Sequence, residues 1–144
     1  LISTNTGYKS SDVANSRLIQ LDMSKNGLRA ANSKQWTWLL NQLETAKGDN
    51  IFLFLANSPD TFSDSQEAKL FKNILTAHKK KTAKNIWVFY KGSKNESSME
   101  EGIKYISTAG YEVDGLNQKT TSLAKYILVT VKGSTITYEF TPMV

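Results

Sequence analysis

The chain has 144 residues, enough for one domain with a buried core, and it contains no cysteine and a single histidine, His78. Disulfides, thiolate metal sites and cysteine nucleophiles are therefore excluded, as is a multi-histidine zinc or di-iron centre built from this chain alone. The net charge of +5 comes from 18 basic and 13 acidic residues, but only Arg17 and Arg29 are arginine, a composition more typical of a lysine-solvated surface than of nucleic-acid binding.

The first 16 residues are polar and rich in Ser, Asn and Thr, which predicts an irregular N-terminal arm over residues 1–16. Residues 17–23 alternate enough to predict a strand, and the segment around Gly27 predicts a turn. A helix follows, because apolar residues recur at helical spacing over residues 36–43. Gln35 precedes that run and occupies a position typical of a capping box.

The next strand is the continuous apolar run IFLFLA, residues 51–56, and its lack of alternation indicates burial on both faces. A second helix is predicted after it, where Ser63 and Gln66 have the spacing of a capping box. NIWVFY, residues 85–90, is a third buried strand. The order strand, helix, strand, helix, strand predicts parallel pairing with right-handed crossovers.

The last third of the chain predicts strands at IKYIST (103–108), KYILVTV (125–131) and STITYEF (134–140). The last two are joined through Lys132-Gly133, which marks a hairpin. We therefore predict an α/β fold with a parallel β-α-β-α-β core followed by antiparallel C-terminal strands, all in one domain over residues 17–144. No run of about 20 apolar residues is present, so no membrane span is predicted.

The carboxyl ends of the parallel strands are where open α/β sheets bind ligands. Polar residues of both charge signs follow the predicted strands at this edge. The candidate residues are Asp22, Asn57, Ser58, Asp60, Lys91 and Lys94. The competing interpretation is that these residues belong to ordinary solvated loops.

The sequence does not support a particular catalytic constellation. Serines are abundant, but His78 lies on a predicted helix beside three lysines and is interpreted as a structural or surface histidine, so a Ser-His-Asp triad is not predicted. Gly92 and Gly102 are isolated, so no glycine-rich phosphate loop is present. We predict no catalytic residue, no metal ligand and no cofactor for this chain alone.

The run RLIQLDMSKNGLRAANSKQWTWLLNQL resembles the middle of a calcineurin-like metallophosphoesterase domain, in which a strand ending in Leu-Asp leads to a helix carrying Gln-x-x-Trp-Leu. FLFLANSP is similar to that family's strand ending in Met-His-x-Pro, and IWVFYKGSKNE to its strand ending in Gly-His-x-His. The closing strands are also similar to the last strands of that family. The resemblance as a whole runs in order over nearly the whole chain. The resemblance implies the C-terminal half of a two-sheet sandwich.

The departures from this family bear directly on function. Asn57 falls where the resemblance places one histidine, and Gly92 and Lys94 fall where it places two more. The upstream ligand motifs of the family have no counterpart, since residues 1–16 are too short to hold them. A two-metal phosphoesterase uses carboxylates and imidazoles to hold cations about 3.5–4 Å apart and to activate water.

Three functional hypotheses follow. The first is a non-catalytic, degenerate module that acts as a scaffold or binding surface in a larger protein. The second is the C-terminal half of an active metal-dependent phosphoesterase whose ligands lie upstream, consistent with a chain that begins at Leu1 and is expected to be part of a longer polypeptide. The third is a module that binds an anionic polymer through Lys25, Lys91 and Lys94.

The expected partners are the rest of the parent polypeptide or a second copy of the chain. Half of a two-sheet sandwich leaves apolar sheet surface uncovered, so we expect either a self-dimer through that face or cover from the N-terminal arm. The resemblance, together with a composition rich in lysine and asparagine, favours a secreted or cell-envelope bacterial protein, although the sequence does not determine the compartment.

Overall fold

The computed structural model describes residues 7–109 and 125–142. These residues form a six-stranded mixed sheet and a two-stranded antiparallel sheet. The strands are β1 (Lys9–Val13), β2 (Ser16–Gln20), β3 (Asn50–Asn57), β4 (Asn85–Lys91), β5 (Glu96–Glu100), β6 (Ile103–Thr108), β7 (Lys125–Lys132) and β8 (Thr135–Pro142). The helices are α1 (Leu28–Ala31), α2 (Gln35–Thr45) and α3 (Ser65–Thr82), with a short 3-10 turn at Pro59–Thr61.

The large sheet has the strand order β1-β2-β3-β4-β6-β5. Strands β2, β3 and β4 pair in parallel, as the strand and helix order predicts. The prediction that the C-terminal third is antiparallel is wrong for β6, which pairs in parallel with β4. The chain reaches the edge strand β5 first and then returns through β6, which lies between β4 and β5 and is antiparallel to β5.

Residues 51–56 of β3 are all apolar, and apolar residues on both faces of the strand pack into the core. Ile51, Leu53 and Leu55 point to the helical side, where they join the main core with residues of α2 and α3. Phe52 and Phe54 point to the opposite side and belong to a second apolar cluster. A strand with only one buried face would have alternated between apolar and polar residues.

The second face of the large sheet is covered over its central strands by the β7–β8 hairpin. Val129, Ile136, Tyr138 and Phe140 of the hairpin pack against a cluster that includes Phe52, Phe89 and Ile106. The hairpin is also held by hydrogen bonds at its turn, since the side-chain amides of Asn50 and Asn85 donate to the carbonyls of Gly133 and Ser134 at 2.8 and 2.7 Å. We expected either a self-dimer through this face or cover from the N-terminal arm; over these central strands the hairpin provides the cover.

Three elements differ from the sequence predictions. The predicted irregular arm contains β1, the predicted turn around Gly27 contains α1, and the loop predicted after β4 contains β5. Every residue of β1 and β5 is exposed, so neither edge strand has a hydrophobic pattern that could identify it. Residues 1–6 of the predicted arm lie outside the described residues.

Helix α3 is 18 residues long, and its N-cap residue lies one position later than predicted. Asp64, rather than Ser63, accepts a hydrogen bond from the backbone N–H of Gln66 at 2.9 Å. The helix ends at Thr82, and the C-cap residue Ala83 adopts the left-handed conformation with φ of 60°. Lys79, Lys80 and Lys81 fill the last turn, where the helix dipole favours cations. Within the described part of the chain, no helix combines the length and the apolar character that a membrane crossing requires.

Candidate functional site

The carboxyl ends of β2, β3, β4 and β6 lie at the same edge of the large sheet, because these strands are parallel. We call the six candidate residues that follow these ends the rim: Asp22, Asn57, Ser58, Asp60, Lys91 and Lys94. Asn57 and Lys91 are direct neighbours in the register of β3 and β4, next to a bulge in β3. The structure therefore places Asn57 and Lys91 opposite each other on adjacent strands at the centre of the rim.

The Asp22 carboxylate accepts hydrogen bonds from two backbone N–H groups of the chain. Its Oδ1 accepts from the backbone N–H of Ser24 at 2.9 Å, and its Oδ2 accepts from the backbone N–H of Gly7 at 3.1 Å. Partial burial raises the pKa of Asp22, but the hydrogen bonds from Ser24 and Gly7 outweigh this effect and leave the pKa below its ordinary value. Asp22 is therefore an ionised carboxylate that already has two donors within the chain.

The polar end of β3 is a capped 3-10 turn. The Ser58 hydroxyl accepts a hydrogen bond from the backbone N–H of Asp60 at 3.2 Å, and Pro59 occupies the first position of the turn. Ser, Pro and Asp are the residues that such a turn requires, because the serine satisfies a free N–H and proline has none to satisfy. The sequence Asn57-Ser58-Pro59-Asp60 at the end of a buried strand thus has a local structural explanation.

Asp60 belongs to an ion-pair cluster with Lys72 of α3 and Glu100 of β5. Lys72 Nζ lies 2.9 Å from Asp60 Oδ1 and 3.5 Å from Glu100 Oε1. Partial burial lowers the pKa of Lys72, but the hydrogen bond and charge of Asp60 and the charge of Glu100 outweigh it, so the pKa lies above its ordinary value. The Asp60 carboxylate, like that of Asp22, is paired within the chain.

Two tyrosines that the sequence analysis did not select lie beside this cluster. The Lys72 ammonium lies 5.7 Å from the centroid of the Tyr105 ring. Burial raises the pKa of Tyr105, and the charges of Glu100 and Asp60 raise it further. Burial also raises the pKa of Tyr90, with contributions from the charges of Asp60 and Glu96. Both phenols therefore stay protonated at neutral pH and can only act as neutral hydrogen-bonding groups.

The loop after β4 is closely packed around Gly92. The Ser107 hydroxyl donates to the carbonyl of Lys94 at 2.8 Å, and the backbone N–H of Gly92 donates to the carbonyl of Thr108 at 2.8 Å. A Cβ atom at position 92 would lie 3.1 Å from the Cβ of Ser107. A larger residue at position 92 therefore requires Ser107 to move.

A buried carboxylate, Glu67, holds the segment that follows β2, and the sequence analysis missed it. Glu67 is 6% exposed. Its Oε1 accepts from the backbone N–H of Leu28 at 3.2 Å, while its Oε2 accepts from the backbone N–H of Arg29 at 2.9 Å and from the indole N–H of Trp36 at 2.7 Å. Gly27 allows this approach, because a Cβ there would lie 2.6 Å from Glu67 Oε1.

Gln35 is the second buried polar residue that holds the same segment. Its side chain is fully buried and accepts from the backbone N–H of Asp22 at 2.7 Å. Its amide nitrogen donates to the carbonyls of Asp22 and Leu28, each at 2.9 Å. The predicted capping role of Gln35 is replaced by this role, because the side chain points into the core rather than back to the helix terminus.

The side chains at the rim do not have the character of a two-metal centre. Across residues 7–109 and 125–142, no three His, Asp or Glu side chains gather closely enough to hold a metal ion. The positions that the resemblance assigns to imidazoles carry an amide, a hydrogen atom and an ammonium group, at Asn57, Gly92 and Lys94. An amide is a weak ligand, glycine offers no side-chain ligand, and an ammonium repels a cation.

Comparisons with known proteins do not assign the chain. No family model matches its sequence, and no curated protein matches it either.

Proposed function

We propose that the chain is a non-catalytic, degenerate metallophosphoesterase-like module that serves as a scaffold or binding surface within a larger protein. The single observation that carries this proposal is the state of the rim carboxylates. Asp22 has two backbone donors and Asp60 has the Lys72 ammonium, so neither carboxylate needs a metal ion to balance it.

The fold is consistent with the resemblance on which this proposal rests. A mainly parallel sheet with helices on one face and an antiparallel hairpin on the other corresponds to what the C-terminal half of a two-sheet sandwich would contain. We propose that the β7–β8 hairpin is the start of the second sheet. Under this proposal, the remaining strands of the second sheet belong to the parent polypeptide.

The packing around Gly92 also supports a degenerate site. A Cβ at position 92 would lie 3.1 Å from the Ser107 Cβ, so a side chain there would require Ser107 to shift by a few tenths of an ångström. The serine hydroxyl is in turn bonded to the carbonyl of Lys94. The packing of this loop therefore favours glycine at position 92 over a residue with a metal-binding side chain.

The proposal is tested by metal binding and turnover with the purified chain. Bis-p-nitrophenyl phosphate is incubated with the chain and Mn²⁺, and Mn²⁺ binding is measured by calorimetry. We expect hydrolysis at the rate of the metal-only blank and no stoichiometric binding. Turnover that is lost in both Asp22→Asn and Asp60→Asn would contradict the proposal, and equal turnover in wild type and both variants would identify a contaminating phosphatase.

An anionic ligand at the rim is a second candidate function. Lys91 lies beside Asn57 at the centre of the rim, and Lys94 lies in the loop that follows. Phosphate contacts made by lysine weaken strongly as salt increases. Binding of a fluorescent polyphosphate should therefore fall between 50 and 200 mM NaCl and should weaken in Lys91→Gln/Lys94→Gln, whereas salt-independent binding would exclude this function.

A further inference from the structure

The β7–β8 hairpin covers the second face of the large sheet but has little buried surface of its own. Each residue over the range 128–140 is half-buried or exposed, whereas Phe52, Phe89 and Ile106 beneath the hairpin are buried. Elements with few buried apolar contacts open at a lower free energy than the core to which they are attached. The hairpin is therefore expected to open while the core stays folded.

Tyr138 of β8 contacts two strands of the large sheet. The centroid of its ring lies 5.4 Å from that of Trp87 of β4, with the two ring planes 87° apart, which is an edge-to-face arrangement that aromatic pairs favour. Its hydroxyl shares a hydrogen bond of 2.6 Å with the hydroxyl of Ser97, in the edge strand β5. A single side chain of the hairpin thus binds both a central strand and the edge of the sheet.

The ammonium group of Lys104 lies against the same pair of rings. Lys104 is on β6, next to Trp87 in the register of β4 and β6. Its Nζ lies 5.6 Å from the centroid of the Trp87 ring and 5.2 Å from that of the Tyr138 ring. Within the part of the chain that the structure describes, no carboxylate forms an ion pair with Lys104. The charge of Lys104 therefore interacts with one ring of the sheet and one ring of the hairpin.

We propose that the β7–β8 hairpin is a releasable strap over the aromatic face of the sheet, and that the positive charge of Lys104 keeps it closed. The contact with Trp87 lies within the sheet and survives opening, so the contact with Tyr138 is the one that favours the closed strap. Opening uncovers Phe52 and Phe89 and leaves the main core on the helical side unchanged. The strap is independent of the function proposed for the rim, because it lies on a face of the sheet rather than at the strand ends.

The test is amide hydrogen exchange of the ¹⁵N-labelled chain followed by NMR, in which the hydrogen-bonded amides of β7 and β8 are compared with those of β3 and β4. In the wild-type chain the hairpin amides should be protected but should exchange faster than those of β3 and β4, since the strap opens while the core stays closed. Lys104→Gln should raise the exchange rates of the hairpin amides by about fivefold, as expected for the loss of one cation–ring contact. Hairpin amides without protection in the wild type, or an equal increase in the hairpin and in β3 and β4, would overturn the proposal.

A charge series at position 104 separates the charge of the side chain from its packing. Lys104→Arg keeps a cation over the rings and should exchange like the wild type, whereas Lys104→Glu places a negative charge at the negative ring faces and should open the hairpin more than Lys104→Gln. Lys80→Gln, which removes an exposed lysine of α3, is the matched control and should leave the exchange of the hairpin unchanged. Equal hairpin rates in the wild type, Lys104→Gln and Lys104→Glu would show that apolar packing alone holds the hairpin, and would refute the role of Lys104.

Discussion

Replacement of Glu67 by glutamine tests whether the buried carboxylate holds the segment after β2. Glu67 Oε2 accepts two hydrogen bonds and Oε1 accepts one. Glutamine keeps one acceptor oxygen, so its best orientation retains the two bonds at the Oε2 position and turns an NH₂ group towards the N–H of Leu28. The N–H of Leu28 then loses its acceptor and faces the new NH₂ group, which is also a donor, and the two remaining bonds lose their charge-assisted strength.

The expected cost follows from these three bonds. An unpaired buried donor costs about 1–3 kcal/mol, and a hydrogen bond to a neutral group is weaker than one to a charged group by roughly 1 kcal/mol. We therefore expect Glu67→Gln to lower the free energy of unfolding by about 3–5 kcal/mol. This is a large part of the ~5–15 kcal/mol that holds a typical domain folded.

The assay is urea unfolding followed by far-UV circular dichroism, with an unchanged m-value as the condition for comparison. Glu139→Gln is the matched control, because Glu139 is exposed on β8, and it should stay within about 0.5 kcal/mol of wild type. In a double-mutant cycle, Trp36→Phe should reduce the cost of Glu67→Gln, since the indole donor is then absent. A Glu67→Gln variant as stable as the control would refute the role assigned to this carboxylate.

Three further changes give sharp expectations. Gly48→Ala should destabilise the chain by about 1–3 kcal/mol in urea unfolding, because its Cβ would clash with the backbone oxygen of Asn15; a neutral result would mean that the loop shifts freely. The pKa of His78 is lowered, mainly by burial and also by the charges of Lys84 and Lys81, against the opposing charge of Glu44. Because the folded-state pKa lies below the unfolded value of about 6.5, stability should fall as the pH drops below 6.5 and through the folded pKa, and His78→Leu should flatten this part of the pH profile. Lys72→Met should lower the free energy of unfolding by at most about 1 kcal/mol, since the Asp60 and Glu100 side chains that pair with Lys72 are 73% and 50% exposed. A loss several times larger in thermal unfolding would contradict this and would show that the ion-pair cluster is needed for folding.

The sequence predicts those strands and helices whose buried residues form a recognisable apolar pattern. Strands β3 and β4 are apolar on both faces and were therefore recognisable, and the parallel pairing followed from the helices between them. Strand β5 has no such pattern, since all five of its residues are exposed. Without β5 the direction of β6 could not be derived, because it depends on where the chain crosses the sheet.

The location of the rim could be predicted, but not the contacts that its residues make. Asp22 and Asp60 are predicted at the strand ends, yet one donor to Asp22, Gly7, and the donor to Asp60, Lys72, are distant in sequence. Glu67 resembles an ordinary acidic residue in the first turn of a helix. A signal was nevertheless present, because Glu67 shares the apolar face of α3 with Phe71 and His78, where a solvated carboxylate would not be expected.

The pairing of the rim carboxylates has a thermodynamic consequence that separates a scaffold from a metalloenzyme. In a metal site, carboxylates that share a cation repel one another when the cation leaves, so metal binding and folding are coupled. At this rim each carboxylate has its own donor, backbone N–H groups for Asp22 and an ammonium for Asp60, and the two lie in separate hydrogen-bond networks. Neither carboxylate depends on a bound cation for a partner. Under the scaffold function that we propose, these pairings maintain the shape of the rim without metal.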